Sequence, residues 1–489
     1  MLDDLSRETV AADFLSQFDI SYARTHRIVG IERSEQLYLA VCDLQGWNHA
    51  DSVNRVLKRF AEPLVASEET ILSAINAAYS DKQSRTQEVI DNIDSEAGPD
   101  FGSVVQQEDL LTTDGRAPVI QLVNHLLSDA VKAGASDIHI QPYEDRIVVR
   151  QRIDGVLVDS NEVPKAVQEE VITRIKVLGR MNIAEKRLPQ DGRATVQLGD
   201  RIVDLRIASL PTSHKERIVI RLLDKSARLY TLNELGMPAE TLQTFRRLIR
   251  RDHGLILVTG PTGSGKSTTL YGALQEINSR DQNVLTIEDP IEYQLDGINQ
   301  TQVNEKKGMT FATGLRSVLR QDPDIIMVGE IRDRETAVMA IQASLTGHLV
   351  FSTLHTNDAA SAVTRLLDLG IEPYLVSSSL IAALAQRLVR RLCANCSAGS
   401  RTLSASPGCS ECRSGFRGRV GIFELLVLND EIRSQVEQRA SAAEIRQTAI
   451  THGMRILRRD GLDKVESGQT TREEVERVAS LGESDSEQL

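Results

Sequence analysis

The stretch Leu255-Ile-Leu-Val-Thr-Gly-Pro-Thr-Gly-Ser-Gly-Lys-Ser267 decides the fold of this chain. Its apolar start predicts a buried strand, which leads directly into the pattern Gly-x-x-x-x-Gly-Lys-Ser of a phosphate-binding loop. The residues that follow, 268–277, have the spacing of a helix. Glycines without a Cβ let successive backbone N–H groups point at phosphate oxygens at a helix N-terminus. A glycine-rich turn without a ligand is the alternative, and the strand before the loop and the helix after it argue against it.

The phosphate-binding loop supplies most of the predicted nucleotide ligands. Lys266 is expected to reach the β- and γ-phosphates of ATP, and the Ser267 hydroxyl is expected to ligate Mg²⁺. The nucleotide-binding residues predicted from the pattern are Gly260, Pro261, Thr262, Gly263, Ser264, Gly265, Lys266, Ser267 and Thr268. ATP and Mg²⁺ are therefore the expected cofactors of this part of the chain.

From residue 255 onward, short apolar segments alternate with helical ones. The predicted strands are residues 255–258, 284–287, 325–328 and 349–353. This alternation is typical of an α/β domain in which helices cover a parallel sheet. Beyond Asn429 the sequence has the pattern of polar helices. The second half of the chain is therefore predicted to be one α/β domain.

Acidic residues follow two of these strands. Glu288 and Glu292 come after the second strand, and Glu330 comes after the third. In a P-loop fold the carboxyl ends of neighbouring strands face the phosphate pocket. A carboxylate there can orient the attacking water or hold Mg²⁺ through its hydration shell. The alternative is that these acids face solvent at the starts of loops.

Two histidines flank the fourth predicted strand. His348 and His355 are an odd number of residues apart, so they point to opposite faces of a strand and only one can face the nucleotide. His355, which is followed by Thr356 and Asn357, is the better candidate for sensing the γ-phosphate. A structural role is the alternative for either histidine.

The first half of the chain reads as three segments. Residues 1–80 show helical spacing, which includes Phe60 and Leu64, and predict a small helical domain. Residues 81–114 contain nine acids, two bases and little apolar surface, so they predict a linker that cannot offset the entropy of ordering. Residues 115–232 begin with a helical run and then alternate between apolar and polar residues, which predicts an α+β domain.

Charge is distributed unevenly along the 489 residues. The formal net charge is −12, and residues 1–110 hold 9 Lys and Arg against 20 Asp and Glu, so the remainder is nearly neutral. A nucleic-acid groove needs a basic stripe, which makes nucleic acid an unexpected partner. The sequence contains no run of about eighteen uncharged apolar residues, which a membrane-spanning helix would need. The chain is therefore expected in the cytoplasm.

Four of the five cysteines form two close pairs. Cys393 and Cys396 are separated by two residues, as are Cys409 and Cys412. Each spacing lets two sulfurs face one ion, and four thiolates make a closed tetrahedral zinc site. Reduced cysteines without a metal are the alternative. Cys42 stands apart and is predicted to be a small buried apolar residue.

Together these motifs resemble the secretion ATPases of type II secretion and type IV pilus systems, over residues 117–480. The matching segments, besides the phosphate-binding loop, are Ala135-Ser-Asp-Ile-His-Ile140, Arg187-Leu-Pro-Gln-Asp-Gly-Arg193, Glu288-Asp-Pro-Ile-Glu292, Asp322-Pro-Asp-Ile-Ile-Met-Val-Gly-Glu-Ile-Arg-Asp333, Gly347-His348 and His355-Thr-Asn357. One departure is Lys215, which stands where the family usually has glycine after the histidine, so the resemblance does not fix the geometry of this turn, although it still covers the site.

The resemblance implies a homo-hexamer that binds ATP between an α+β, PAS-like domain and a RecA-like P-loop domain. It implies that Glu292 is the general base, that Glu330 supports Mg²⁺ and that His355 reads the γ-phosphate. Arg206 and Arg221 are implied to reach the phosphates from the preceding domain, since guanidinium forms paired bonds to phosphate. The arginines implied to tie subunits and domains together are Arg316, Arg320 and Arg332.

The domain arrangement that follows is a helical docking domain at 1–80, an acidic linker at 81–114, an α+β domain at 115–232 and a RecA-like ATPase domain at 233–489 with a zinc-binding insertion at 390–425. The cysteine insertion and the additional N-terminal domain resemble assembly motors, since retraction motors lack both. The N-terminal region resembles the type II secretion member more than the pilus assembly member, which is the alternative.

The implied partners are proteins of the inner membrane. Residues 1–110 are implied to bind the cytoplasmic domain of a single-span protein, and the motor core is implied to act on a polytopic platform protein. The chain would then be cytoplasmic and peripherally associated with the inner membrane. Less expected functions are a nucleic-acid translocase, which needs a basic face, and a nucleotide sensor that does not hydrolyse ATP, which would lack Lys266, Glu292 or Glu330.

Overall fold

The computed structural model describes residues 9–479 except 19, 34–35, 43, 58, 83–107, 110–117, 200, 225–228, 279–280, 398–407, 410–411 and 413. The chain divides into two compact units, residues 1–227 and 228–489. The predicted linker at 81–114 lies almost entirely outside the described residues. Within the part of the chain that the structure describes, no helix is both long and apolar enough to cross a membrane.

The N-terminal region contains a four-stranded sheet as well as helices. Its elements are β1 (Thr9–Val10), α1 (Ala12–Gln17), α2 (Ile20–His26), β2 (Ile28–Arg33), β3 (Gln36–Val41), α3 (Leu44–Leu57), β4 (Glu62–Val65) and α4 (Glu68–Lys82). The strand order is β1-β2-β3-β4, with β3 and β4 parallel. The prediction of a small helical domain holds for α1 to α4 but missed the sheet: Leu64 lies on β4, and Phe60, 79% exposed, lies outside α3. Short apolar runs in buried strands cannot be told from helix segments by periodicity alone.

A seven-stranded, largely antiparallel sheet follows, as the alternating pattern predicted. Its elements are β5 (Glu108–Asp109), α5 (Pro118–Lys132), β6 (Ala135–Pro142), β7 (Arg146–Ile153), β8 (Val156–Pro164), a 3₁₀ turn (Lys165–Val167), α6 (Gln168–Leu178), β9 (Gln190–Leu198), β10 (Arg201–Thr212) and β11 (Lys215–Asp224). The order is β5-β9-β10-β11-β6-β7-β8. On β10 the alternating residues Val203, Leu205 and Ile207 are buried, so one face of the strand packs into the core.

The departure at Lys215 coincides with an unusual backbone conformation. Lys215 begins β11 immediately after the turn from β10, and its φ is 84°. This left-handed conformation places the Cβ of an L-residue close to its own carbonyl, so glycine is normally favoured. The Lys215 side chain forms an ion pair with Glu169. The turn therefore keeps the conformation that suits glycine, although a lysine occupies the position.

The second unit is built on another seven-stranded sheet. Its strands are β12 (Gly254–Thr259), β13 (Val284–Glu288), β14 (Asn299–Gln302), β15 (Ile325–Val328), β16 (Leu349–Leu354), β17 (Leu380–Leu392) and β18 (Phe416–Val427), in the order β14-β13-β15-β16-β12-β17-β18. All neighbouring strands are parallel except β17 and β18. The four predicted strands are thus confirmed as β12, β13, β15 and β16, and the phosphate-binding loop follows the interior strand β12.

Helices cover both faces of this sheet and continue to residue 479. They are α7 (Ala239–Leu248), α8 (Lys266–Ile277), α9 (Phe311–Val318), α10 (Arg334–Leu345), α11 (Ala359–Asp368), α12 (Pro373–Ser379), α13 (Ala394–Ser397), α14 (Asp430–Glu437), α15 (Ala442–Thr451), α16 (Leu457–Glu466) and α17 (Arg472–Ala479), with 3₁₀ turns at Leu232–Leu235 and Glu305–Lys307. Two apolar clusters fill the two sides of the sheet. The carboxyl ends of β12, β13, β15 and β16 are left facing one edge, where the predicted site residues lie.

Candidate nucleotide site

The phosphate-binding loop is shaped by its glycines and by the neighbouring strand β17. Gly260 has a φ of 151°, and a Cβ there would lie 2.5 Å from the Gln386 carbonyl oxygen. Gly265 has a φ of 89°, and a Cβ there would lie 2.7 Å from Gln386 Nε2. Both positions therefore require glycine for space as well as for backbone conformation. The loop ends where α8 begins, at Lys266, with its free N–H groups at the start of the helix.

Polar groups of this loop fit a phosphate ligand. The Ser264 hydroxyl is buried and has no hydrogen-bond partner among the described residues. Lys266 Nζ donates to the carbonyl oxygens of Gly260, at 2.9 Å, and Pro261, at 3.1 Å. Burial and the charge of Arg387 lower the pKa of Lys266 to about 8, against the opposing charges of Glu330 and Glu292. A triphosphate would supply the negative charge that this amine lacks.

Glu330 is the centre of a charged cluster beyond the end of β15. Its Oε1 accepts a hydrogen bond from Arg332 Nη2, and its Oε2 lies 3.4 Å from His355 Nε2. The Glu330 side chain is 15% exposed. Its charge also acts on Lys266, as the opposing contribution to that pKa shows. Glu330 thus lies beside His355 after the ends of β15 and β16, within electrostatic range of Lys266.

The two histidines lie at opposite ends of β16. His355 follows the carboxyl end of the strand, beside Glu330, whereas His348 precedes the strand and its Nδ1 lies 2.8 Å from the Ala343 carbonyl oxygen. Partial burial lowers the pKa of His355, and the Lys266 charge lowers it further against the opposing effect of Glu330. His355 is therefore neutral at pH 7. Of the two histidines, His355 alone lies at the nucleotide pocket.

Glu288 and Glu292 have different surroundings although they are close in sequence. Glu288 is buried and accepts hydrogen bonds from the Tyr271 hydroxyl, from Thr286 Oγ1 at 2.5 Å and from Gln300 Nε2 at 2.9 Å. Its carboxylate is thus occupied by structural partners. Glu292 is exposed, and its charge raises the pKa of Lys266, so its carboxylate acts on the pocket. Burial and its three hydrogen bonds make Glu288 less suited than the exposed Glu292 to chemistry on a bound nucleotide.

Three residues at this pocket were missed by sequence reasoning. Thr259 Oγ1 accepts a hydrogen bond from the Thr356 backbone N–H at 2.9 Å and lies 2.7 Å from Thr356 Oγ1. Gln386 Oε1 accepts from Thr269 Oγ1 at 2.6 Å, and Arg387 lies beside Gly260. No local motif marks Gln386 and Arg387, because they reach the loop only through the pairing of β17 with β12.

The other predicted arginines of this unit make local contacts. Arg316 Nη2 donates to Glu335 Oε1 at 3.1 Å, and Arg320 Nη1 donates to the Arg316 carbonyl oxygen at 2.8 Å. Arg332 binds Glu330. The contacts of Arg316 and Arg320 lie on the surface of the unit, where little energy is gained from a single pair, whereas Arg332 binds the largely buried Glu330.

In the first unit, three arginines occupy neighbouring positions across the sheet. Arg206 on β10 is opposite Arg193 on β9 and Arg221 on β11. Arg221 Nε donates to Asp137 Oδ1 at 3.1 Å. Guanidinium groups at neighbouring positions can bind one anionic ligand together, although Asp137 beside Arg221 offsets part of their charge. Arg206 and Arg221 were predicted from the resemblance; Arg193 was not, and only the strand register places it beside them.

Comparison with known proteins shows which family carries this site. A family model described as type II/IV secretion system protein matches residues 112–477. The chain belongs to this family. A model of the MshEN domain matches residues 2–85.

Relatives of this type II/IV secretion system protein are similar over most of their length. The type II secretion system ATPase E of Vibrio cholerae serotype O1 is 48% identical over 87% of this chain and 88% of that protein. The type II secretion system protein E of Aeromonas hydrophila is 50% identical over 82% of this chain and 84% of that protein. These relatives confirm the prediction of an ATPase that serves as a type II secretion motor, with ATP and Mg²⁺ as cofactors.

Solved structures show the same fold. The crystal structure of the pilus retraction motor PilT with bound ADP is 29% identical, with a TM-score of 0.52 over 72% of this chain and 95% of that chain. The ATPase DotB of Legionella pneumophila has a TM-score of 0.57 at 22% identity, over 77% of this chain and 100% of that chain. The predicted P-loop fold is therefore confirmed.

This secretion ATPase also holds its four paired cysteines together. Their sulfur atoms all lie within 4.8 Å of one another, with Sγ–Sγ distances of 3.9 Å for Cys393 and Cys409, 3.4 Å for Cys396 and Cys412, and 3.8 Å for Cys409 and Cys412. Four sulfurs around a tetrahedral zinc ion at about 2.3 Å would be separated by about 3.8 Å. The cluster connects the end of β17 to the start of β18, and its geometry is compatible with zinc.

Proposed function

We propose that this chain hydrolyses ATP with Glu292 as general base, Glu330 as the carboxylate that supports Mg²⁺ and His355 as the residue that reads the γ-phosphate. Two observations support the proposal: Glu330 Oε2 lies 3.4 Å from His355 Nε2, and the charges of Glu330 and Glu292 both act on Lys266 of the phosphate-binding loop. A base must lie near the proton that it removes. Glu292 is exposed and its charge acts on Lys266, whereas Glu288 is buried and held by three hydrogen-bond donors.

The residues of the loop would bind and orient the triphosphate. Backbone N–H groups at the start of α8 donate to phosphate oxygens, and Lys266 turns from the carbonyl oxygens that it binds here towards the β- and γ-phosphates. Ser267 and Glu330 would hold Mg²⁺, which neutralises charge on the phosphate oxygens when bound. The neutral His355 can donate one hydrogen bond to a γ-phosphate oxygen, and this bond is lost after hydrolysis.

We propose further that Arg206 and Arg221 donate to the phosphates during turnover. The cross-strand row with Arg193 supports this role, because an anion would offset the repulsion between the guanidinium groups. We propose a homo-hexamer, as the resemblance implies, in which Arg316, Arg320 and Arg332 contribute to contacts between subunits and domains.

We propose that Cys393, Cys396, Cys409 and Cys412 hold one structural zinc ion. The distances between their sulfurs support this, and a closed site of four thiolates leaves no open position for catalysis. The zinc would therefore fix the connection between β17 and β18 and take no direct part in ATP hydrolysis.

We propose that residues 1–110 recruit the motor to the cytoplasmic face of the inner membrane by binding the cytoplasmic domain of a single-span protein. They hold most of the net negative charge of the chain, and an anionic lipid surface would repel them, which favours a protein receptor. The core would then act on a polytopic platform protein to power pseudopilus assembly and protein export.

The substitution Glu292→Gln tests the chemistry. Glutamine has nearly the same shape but cannot accept a proton, so ATP binding should persist while hydrolysis falls by at least ~100-fold. The matched control is Glu372→Gln, an exposed glutamate of the same unit at the start of α12, which should hydrolyse ATP at the wild-type rate. Wild-type hydrolysis by Glu292→Gln would remove Glu292 from the role of base and make Glu330 the next candidate.

A further inference from the structure

Arg387 is a buried arginine at the back of the phosphate-binding loop. It lies on β17, two positions beyond Ala385, which pairs with Thr259 at the end of β12. The residue is 4% exposed. Arginine is almost never fully buried unless it is paired, so the burial of Arg387 has to be explained by the contacts that it makes.

The guanidinium of Arg387 contacts two segments of the nucleotide site. Nη2 donates to the Asn357 carbonyl oxygen at 2.7 Å, and Nη1 donates to the Gln386 carbonyl oxygen at 3.1 Å. Nη1 also lies 3.0 Å from the point where a Cβ on Gly260 would be. One planar group therefore packs against the first glycine of the phosphate-binding loop and holds the loop at residues 355–358, which carries His355.

A second connection holds the same loop from the other side. Thr356 N–H donates to Thr259 Oγ1, the last residue of β12, and the two threonine hydroxyls lie 2.7 Å apart. The Ala359 N–H, just after the loop, donates to Glu424 Oε1 at 2.9 Å. Residues 355–358 are thus fixed at three points, and Arg387 is the contact that also touches the phosphate-binding loop.

Stability alone does not account for a cation at this position. Burial lowers the pKa of Arg387, and the charges of Glu424 and Asp358 only oppose that shift. In the described part of the chain, Arg387 forms no ion pair, and its hydrogen-bond acceptors here are mainly backbone carbonyl oxygens. A buried charge without a paired carboxylate is costly. A guanidinium does, however, present donors in a rigid plane, which suits it to hold two backbone segments at a fixed separation.

We propose that Arg387 is a positioning residue that fixes the loop at 355–358 against the phosphate-binding loop, so that His355 lies at the γ-phosphate before hydrolysis. This proposal rests on the role of His355 proposed above. Arg387 then acts on the hydrolytic step more than on capture of ATP, because the backbone donors and Lys266 that bind the phosphates do not depend on His355.

Substitutions of Arg387 in the full-length chain separate positioning from charge and from packing. Arg387→Met approximately keeps the length of the side chain and removes its hydrogen-bond donors. Arg387→Lys keeps the charge but presents a single amine, which cannot both lie against Gly260 and reach the Asn357 carbonyl oxygen. Both should lower kcat by at least ~10-fold while KM for ATP changes less than about threefold. The control is Arg391→Met on the same strand, an exposed arginine, which should leave both constants unchanged.

The measurements are steady-state ATP hydrolysis, binding of a fluorescent ATP analogue to count competent sites, and the melting temperature of each variant. A wild-type kcat per competent site in Arg387→Lys would overturn the proposal. A fall in the number of competent ATP-binding sites per chain, with an unchanged kcat per site, would also overturn it, because it would show that Arg387 has a structural role. If Arg387→Met does not fold, Arg387→Lys decides.

A double-substitution cycle with His355→Ala separates this proposal from the proposed function. If Arg387 acts through His355, then Arg387→Lys should lower kcat no further when His355 is already alanine. Additive losses would overturn the proposal and leave the role of His355 standing. Wild-type kcat in His355→Ala would overturn the role of His355, and the positioning proposal with it.

Discussion

The pKa of Lys266 predicts that ATP binding takes up protons near pH 8. Without nucleotide, burial holds this pKa at about 8, with Lys266 close to Arg387 and with Glu330 and Glu292 opposing the shift. Bound phosphates favour the charged amine, so the pKa of Lys266 rises when ATP binds. Each protein molecule whose Lys266 was neutral before binding must therefore take up one proton as it binds ATP. At pH 7 about nine-tenths of the lysines are already charged, whereas at pH 9 only about one-tenth are. The dissociation constant for ATP should therefore rise about tenfold between pH 7 and pH 9.

Titration calorimetry in buffers of different ionisation enthalpy measures this uptake directly. About half a proton should be taken up per ATP bound at pH 8, and almost none at pH 6.5. Lys266→Arg is the control, because guanidinium stays charged throughout this range and its affinity should show no such fall. A dissociation constant that is flat to pH 9 in the native chain, or no proton uptake at pH 8, would refute the reasoning.

Four further predictions concern other parts of the chain. Lys215→Gly should be more stable to urea than Lys215→Ala by about 0.5–1 kcal/mol, because both lose the ion pair and only alanine retains the strain of a positive φ; equal midpoints would contradict this. Cys412→Ser should lower zinc from one ion per chain to well below one by metal analysis, and zinc-free native protein would contradict a zinc site. Arg206→Ala and Arg221→Ala should each lower ATP hydrolysis by up to ~1,000-fold if they stabilise transition-state charge, whereas normal turnover in both would make them structural. Deletion of residues 1–110 should preserve basal hydrolysis and abolish sedimentation with inner membranes and secretion in cells; a truncated chain that still sediments and secretes would exclude the docking role.

Local sequence determined the centre of the fold. The segment 255–267 predicted a strand, a phosphate-binding loop and a helix, and the structure has β12, the loop and α8 there. Such a motif can be recognised from the sequence because its glycines, lysine and flanking apolar residues lie close together in the chain and shape one short segment of backbone. The paired cysteines could be recognised as candidate metal ligands for the same reason, since the two cysteines of each pair are separated by only two residues.

Tertiary structure alone distinguished residues whose local patterns are alike. Glu288 and Glu292 are both glutamates after β13, and only the hydrogen bonds from Tyr271, Thr286 and Gln300 show that Glu288 is occupied. The N-terminal sheet was missed because short buried strands have the same apolar composition as buried helices.

The residues that complete the nucleotide pocket also depended on the fold. Gln386 and Arg387 lie more than a hundred residues after the loop that they contact, and Arg193 meets Arg206 only through the register of β9 and β10. Sequence determines such contacts only through the whole network of strand pairing, because no short-range pattern specifies which strand will lie beside β12. The sequence by itself thus determined the chemistry of the phosphate-binding loop, and the tertiary structure decided which distant side chains hold it in place.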